Sequence, residues 1–73
     1  MITNKETATQ ISALMLELAA KLDASVALVQ DTCEEVEFNS YRRIAGNLMG
    51  TMLLEVMNPL YQAHPDLKPV GLR

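Results

Sequence analysis

The chain has 73 residues, a net charge of −3 and 49% apolar residues, a size that permits one small domain near the lower limit for a self-sufficient hydrophobic core. Its single cysteine, Cys33, excludes a disulfide within one chain and indicates a reducing, cytoplasmic location. The acidic balance argues against a nucleic-acid partner, and the longest weakly polar run, residues 44–54, is far shorter than the roughly 20 residues that span a membrane. Residues 1–6 also lack the pattern of a secretory signal.

The first half of the chain predicts one long amphipathic helix over about residues 4–33. Thr3 and Glu6 have the spacing of a capping box, which predicts that the helix starts near residue 4. Spacings of three and four then persist for six turns, typical of a helix with one apolar face. That face contains Ile11, Leu14, Met15, Leu18, Leu22, Val26, Val29 and Cys33.

A turn is predicted between Asp31 and Ser40, where the apolar pattern breaks and acidic residues gather. Asn39 or Ser40 is then the expected cap of a second helix. A chain reversal here brings Arg42 and Arg43 near three acids, Glu34, Glu35 and Glu37. We therefore expect an antiparallel two-helix hairpin with weak surface ion pairs beside its turn.

The second helix, over about residues 40–57, has an unusually broad apolar arc of about 200°. One neighbouring helix covers an apolar stripe of only about 100°, so this helix is expected to contact two surfaces. The first helix supplies one of them, and a second copy of the chain is the expected source of the other. The arc contains Tyr41, Ala45, Gly46, Leu48, Met49, Gly50, Met52, Leu53, Val56 and Met57.

Two glycines, Gly46 and Gly50, lie four residues apart in this second helix. Each costs roughly 0.8 to 1 kcal/mol relative to alanine in a helix interior, which favours a close approach by another backbone or by a ligand. A close crossing of helices, as in G-x-x-x-G pairs, is the first interpretation, and a ligand-sized notch is the second. The predicted oligomer interface consists of Gly46, Met49, Gly50, Leu53 and Met57.

The C-terminal part of the chain carries three prolines. Pro59 removes a helical N–H, so the helix either kinks and continues or ends before a new short helix over residues 59–64. Pro65 and Pro69 follow, and residues 65–73 show no helical period. An extended tail is therefore predicted after a hairpin that occupies residues 1–64.

His64 and Asp66 form the only local pair suited to proton transfer, and Cys33 would complete a three-residue metal cluster if the fold brought it near. The chain has no C-x-x-C pair, no second histidine and no nucleophile motif. We therefore predict no catalytic, metal or cofactor site and place His64 in a surface turn. An enzyme that uses this pair would require His64 and Asp66 to meet Cys33 or a carboxylate in a cleft.

Together these patterns predict an all-α protein, a two-helix antiparallel hairpin that assembles as a homodimeric four-helix bundle with an extended C-terminal tail. The expected function is a small, cytoplasmic, non-enzymatic interaction or regulatory module, with a second copy and another protein as its partners. The alternative is a carrier or sensor that holds an apolar ligand between helices beside Gly46 and Met49. A pocket at that place would favour the carrier.

Overall fold

A computed structural model describes residues 1–69 and contains helices joined by short connections, so the prediction of an all-α hairpin is confirmed. The first helix packs against the second along the hairpin, and the molecule measures 44 × 20 × 16 Å. The elements in chain order are α1 (Lys5–Thr32), α2 (Glu35–Thr51), a π-helical segment (Met52–Met57), α3 (Asn58–Ala63) and a 3-10 turn (Pro65–Leu67).

Helix α1 is capped by Asn4 rather than by Thr3. The Asn4 side-chain oxygen accepts a hydrogen bond from the backbone N–H of Thr7 at 2.9 Å. Asparagine is at least as strong an N-cap as threonine, and its position immediately before α1 lets its side chain reach the third amide of the first turn. The predicted capping box with Thr3 is therefore wrong by one residue.

The connection between α1 and α2 is shorter than the sequence suggested. Only Cys33 and Glu34 join the helices, and α2 begins at Glu35, so the expected caps Asn39 and Ser40 lie inside the helix. Glu34 makes no side-chain capping bond. Acidic residues in the first turn stabilise a helix N-terminus through the helix dipole, which explains how this start forms without a capping side chain.

The polypeptide remains helical through Pro59 by way of the π-helical segment. The backbone N–H of Asn58 bonds to the carbonyl of Leu53, five residues earlier. Pro59 has no N–H to donate, and the wider helical turn before it accommodates the missing bond. Of the two structures considered for this region, the chain adopts the continuous one, and the altered phase directs α3 towards the start of α1.

The hydrophobic core lies at the end of the hairpin away from the turn, which we call the base (residues 2–12 and 57–67). Ala8 of α1 packs there against larger side chains, and the Ser12 and Tyr61 hydroxyls lie 2.6 Å apart beside it. The small residues at positions 8 and 12 allow the aromatic ring to approach α1 closely. The buried apolar residues of this core are Ala8, Met57, Leu60 and Tyr61.

The segment after α3 folds back onto the base, contrary to two predictions. His64 is only 9% exposed, and its Nε2 donates a hydrogen bond to the carbonyl of Ile2 at 2.8 Å, so its placement in a surface turn is wrong. The extended tail is also wrong for Pro65–Leu67, because these residues form a 3-10 turn, from which Leu67 packs on the core and Asp66 pairs with Lys5. Residues 70–73 of the predicted tail lie outside the described residues.

Candidate association surface

Large aliphatic side chains remain half-exposed on both helices of the hairpin. Leu14 and Leu18, one turn apart on α1, are 45% and 39% exposed. Ile44 and Leu48, one turn apart on α2, are 49% and 51% exposed. We call these four residues the aliphatic face.

The register of the two helices puts these residues on the same side of the hairpin. The Ser25 and Tyr41 hydroxyls lie 2.7 Å apart and mark one crossing point between α1 and α2. Leu18 lies seven residues from Ser25 and Leu48 lies seven residues from Tyr41, in both cases towards the base. Seven residues make about two helical turns, so each leucine points in nearly the same direction as the hydroxyl residue of its own helix. These two leucines therefore lie near each other, and the other two members of the face lie one turn to either side.

An open groove of about 530 Å³ continues this face towards the turn of the hairpin. It lies between the last turns of α1 and the first turns of α2, and we call it the tip groove. Val29, Val36 and Ile44 give it an aliphatic lining, and Val36 is 80% exposed. The remaining lining residues are Cys33, Glu37, Ser40 and Tyr41.

The carrier hypothesis requires a pocket beside Gly46 and Met49, and the tip groove is elsewhere. The lining residue nearest to Gly46 in sequence is Ile44, and most of the others lie two or more turns further towards the hairpin turn. The groove is also open to solvent along its length rather than enclosed. The tip groove therefore does not support a ligand pocket beside Gly46 and Met49, where the sequence analysis placed one.

Acidic side chains surround the turn of the hairpin. Arg42 was expected to pair with them, but its guanidinium carbon lies 5.4 Å from the centre of the Phe38 ring, an arrangement typical of a cation–π contact. The ion pairs within the described residues join Lys5 to Asp66 and Glu17 to Lys21. Four exposed carboxylates thus keep no ion-pair partner among the residues described: Asp31, Glu34, Glu35 and Glu37.

The two glycines of α2 do not mark a close contact within the described part of the hairpin. A Cβ added to Gly46 or Gly50 would have no neighbouring atom within 4 Å there, apart from the adjacent helix backbone. Intrachain packing therefore does not account for these glycines.

The other members of the predicted interface are partly used by their own chain. Met49 and Leu53 are half-buried, and Leu53 packs against the core of the base. Met57 is 5% exposed inside that core, which leaves little of its side chain for a second copy. The role of the glycine side of α2 in assembly stays a prediction.

The residues considered for catalysis or metal binding occupy opposite ends of the molecule. Cys33 follows α1 at the turn, whereas His64 bonds to Ile2, just before α1 begins. The intervening helix is about 42 Å long, at 1.5 Å for each of its 28 residues. Asp66 pairs with Lys5. The convergence that an enzyme built on His64, Asp66 and Cys33 requires is therefore not formed.

Within residues 1–69, no group of three or more His, Cys, Asp or Glu residues is arranged to hold a metal ion. No helix of this part of the chain combines the length and apolar character needed to cross a bilayer. No protein-family model matches the chain, and no match was found among curated proteins or solved structures.

The predicted interface did not include Ile44 and lay on the glycine side of α2, which is also open in the described hairpin. Ile44 and Leu48 are four residues apart, the spacing of neighbours on one helix face, and this signal was available in the sequence. The broad apolar arc obscured it, because residues at both edges of such an arc qualify equally for the second surface. Helix α1 covers the middle of the arc, where Ala45 is buried, and leaves both edges open, with Leu48 at one and Gly46 at the other.

Proposed function

We propose that this chain is a small, cytoplasmic, non-enzymatic interaction module that works as a homodimer, in which two hairpins pack through their aliphatic faces into a four-helix bundle. The observation that carries the proposal is the half-exposure of Leu14, Leu18, Ile44 and Leu48 on one side of a thin hairpin. A second hairpin that packs its own aliphatic face against these side chains buries the same apolar surface on both copies, as a two-fold interface requires.

The exposed area of the chain supports a partner of this size. A compact monomer of 8.1 kDa is expected to expose about 4500 Å². The chain exposes 5259 Å², roughly 750 Å² more. A standard protein interface buries about 800 Å² on each partner, an area of the same order as this excess.

Sedimentation equilibrium on three proteins tests this proposal. The wild type should be a dimer that dissociates on dilution. Leu48→Glu places a charge within the apolar interface and should raise the dimer Kd at least about 100-fold, equivalent to about 2.7 kcal/mol. Leu54→Glu is the matched control, because Leu54 is 66% exposed and points about 120° away from Leu48 around the helix, so the Kd of this variant should stay near that of the wild type.

Gly50→Leu separates the aliphatic face from the glycine side of α2. If Gly50→Leu dissociates the dimer and Leu48→Glu does not, the interface is the one that the glycines predict. A wild type that stays monomeric at every concentration would refute the homodimer. A different protein would then have to cover the aliphatic face of the monomer.

A further inference from the structure

We infer that the two hairpins of the dimer pack in parallel, turn beside turn, so that the tip groove of each copy is filled by the tip groove of the other. This inference rests on the proposed homodimer and adds the direction of packing and the occupant of the groove. The tip groove and the aliphatic face share Ile44, so a second hairpin seated on the face also reaches the groove.

The apolar surface on this side of the hairpin is displaced towards the turn. It runs from Leu14 and Leu48 through the tip groove to Val36, which is 80% exposed. Towards the base the same side becomes polar. On α1, exposed Thr7 lies seven residues before Leu14, and on α2, exposed Thr51 lies three residues after Leu48. Seven residues make about two helical turns and three make nearly one, so both threonines point to this side.

Parallel packing matches the apolar and the polar half of this side over the whole length of the hairpin. A face of 44 × 20 Å supplies the roughly 800 Å² that each partner buries in a standard interface, so a stable dimer needs most of it. Antiparallel packing in full overlap would set the apolar half of one copy against the polar half of the other. Antiparallel packing shifted to match the apolar halves would leave residues 5–13 of each copy, about 14 Å of helix, outside the contact.

A two-fold axis along the hairpin places α1 of each copy on α2 of the other. The Ser25 and Tyr41 hydroxyls mark one level of the hairpin. Four residues nearer the turn, Val29 of α1 is level with Glu37 of α2. In the parallel dimer Val29 of one copy therefore lies over the first turns of α2 of the other, where Val36 is exposed. Each groove thus receives the aliphatic side chains that line the other.

Charge opposes this arrangement, but less than apolar burial favours it. The exposed carboxylates that come to one end of the parallel dimer are those of Asp31, Glu34, Glu35 and Glu37. Of these four, Glu37 lines the tip groove, whereas Glu35 lines a separate groove with Gln30 and Phe38. Exposed charges interact weakly through water and salt, while aliphatic side chains gain free energy in proportion to the area they bury. The lining of the groove therefore decides the direction of packing.

Cys33 provides a probe of the direction, because it is exposed, lines the tip groove and lies in the connection between α1 and α2, close to the two-fold axis. Oxidation of the wild-type dimer by oxygen with copper phenanthroline should link Cys33 of one copy to Cys33 of the other. Thiols held together in a dimer have an effective concentration of about 1 mM, so at about 10 µM protein the link should form about 100-fold faster than between unassociated chains. Leu48→Glu keeps Cys33 but should dissociate the dimer, so this matched control should link at the slower rate.

Gln10→Cys tests the opposite direction. Gln10 is exposed, lies about one helical turn before Leu14 on α1, and would be brought beside Cys33 by an antiparallel partner. In this variant the link between the two Cys33 residues should remain the main product. A dimer that rapidly links position 10 to Cys33, or that gives no rapid link between the two Cys33 residues, overturns the parallel packing.

Sedimentation of each reduced protein separates failure of this inference from failure of the dimer. A reduced wild type that is dimeric but lacks the rapid Cys33 link contradicts the direction of packing and leaves the proposed function standing. Wild-type protein that is monomeric at every concentration overturns both.

Discussion

The base and the tip of this hairpin reach stability in different ways. At the base, a third segment folds over α1, and three contacts tie it down: Ser12 to Tyr61, Ile2 to His64 and Lys5 to Asp66. At the tip, which we define as residues 25–44, two helices face each other alone. Every residue of the tip is half-buried or exposed.

This contrast shows what a third helical segment provides. Two helices can cover only one face of each other, whereas a third closes a small core around Ala8 and Leu60, both fully buried. The base therefore has a closed core of its own, whereas the tip keeps exposed apolar side chains such as Val36 and Ile44. Substitutions at both ends test this difference, and those in the core of the base should cost the most stability.

The core of the base should be highly sensitive to a cavity. Leu60→Ala should lower the free energy of unfolding by about 2 to 5 kcal/mol, because Leu60 is fully buried and its neighbours relax only partly. Urea unfolding followed by circular dichroism measures the loss. Leu54→Ala, at a leucine that is 66% exposed, is the matched control and should change stability far less. Equal losses would show that the base has no tight core.

Two tyrosine hydroxyls compare the base and the tip directly. Tyr61→Phe should destabilise the protein by about 1 to 3 kcal/mol, because it leaves the buried Ser12 hydroxyl without its partner. Tyr41→Phe should cost less than about 0.5 kcal/mol, because Ser25 is only partly buried and still donates to the Leu22 carbonyl at 2.7 Å. The same urea titration measures both. A larger loss at Tyr41 would reverse the assigned ranking of the two ends.

The glycines of α2 should be replaceable if assembly uses the aliphatic face. Gly46→Ala should raise the free energy of unfolding by about 0.5 to 1 kcal/mol, because the added methyl group enters open space and alanine favours the helix. Thermal unfolding at one protein concentration measures the gain. Destabilisation accompanied by dissociation of the dimer would instead place the glycines at a close helix crossing.

The helices of this protein were predictable because their apolar spacing is regular over many turns. The long α1 and the reversal near residue 33 follow from that period and from its interruption by acidic residues. The start of α2 was not predictable in the same way, because Glu34 and Glu35 begin the helix without a capping side chain. Asn39 and Ser40 are good N-cap residues, but the interaction of the acidic first turn with the helix dipole and the continuous packing of α2 on α1 favour an earlier start.

The base and the candidate surface depended on contacts between distant residues. The burial of His64 requires the carbonyl of Ile2, 62 positions away, and no local pattern indicates that meeting. The exposure of Ile44 and Leu48 likewise depends on which part of α2 lies against α1. Sequence periodicity indicated that α2 has surplus apolar surface, but it could not assign that surplus to the aliphatic face or to the glycine side.

Backbone hydrogen exchange at low and high protein concentration reveals whether the tip depends on a second copy. Exchange of a region that is stabilised by association slows as the dimer forms. We expect amides of the aliphatic face around Leu18 and Leu48, and those of residues 25–44, to gain protection with concentration, while those of the base around Leu60 are already protected in the dilute protein. Tip protection that equals that of the base at low concentration and does not change with concentration would contradict this division of the molecule.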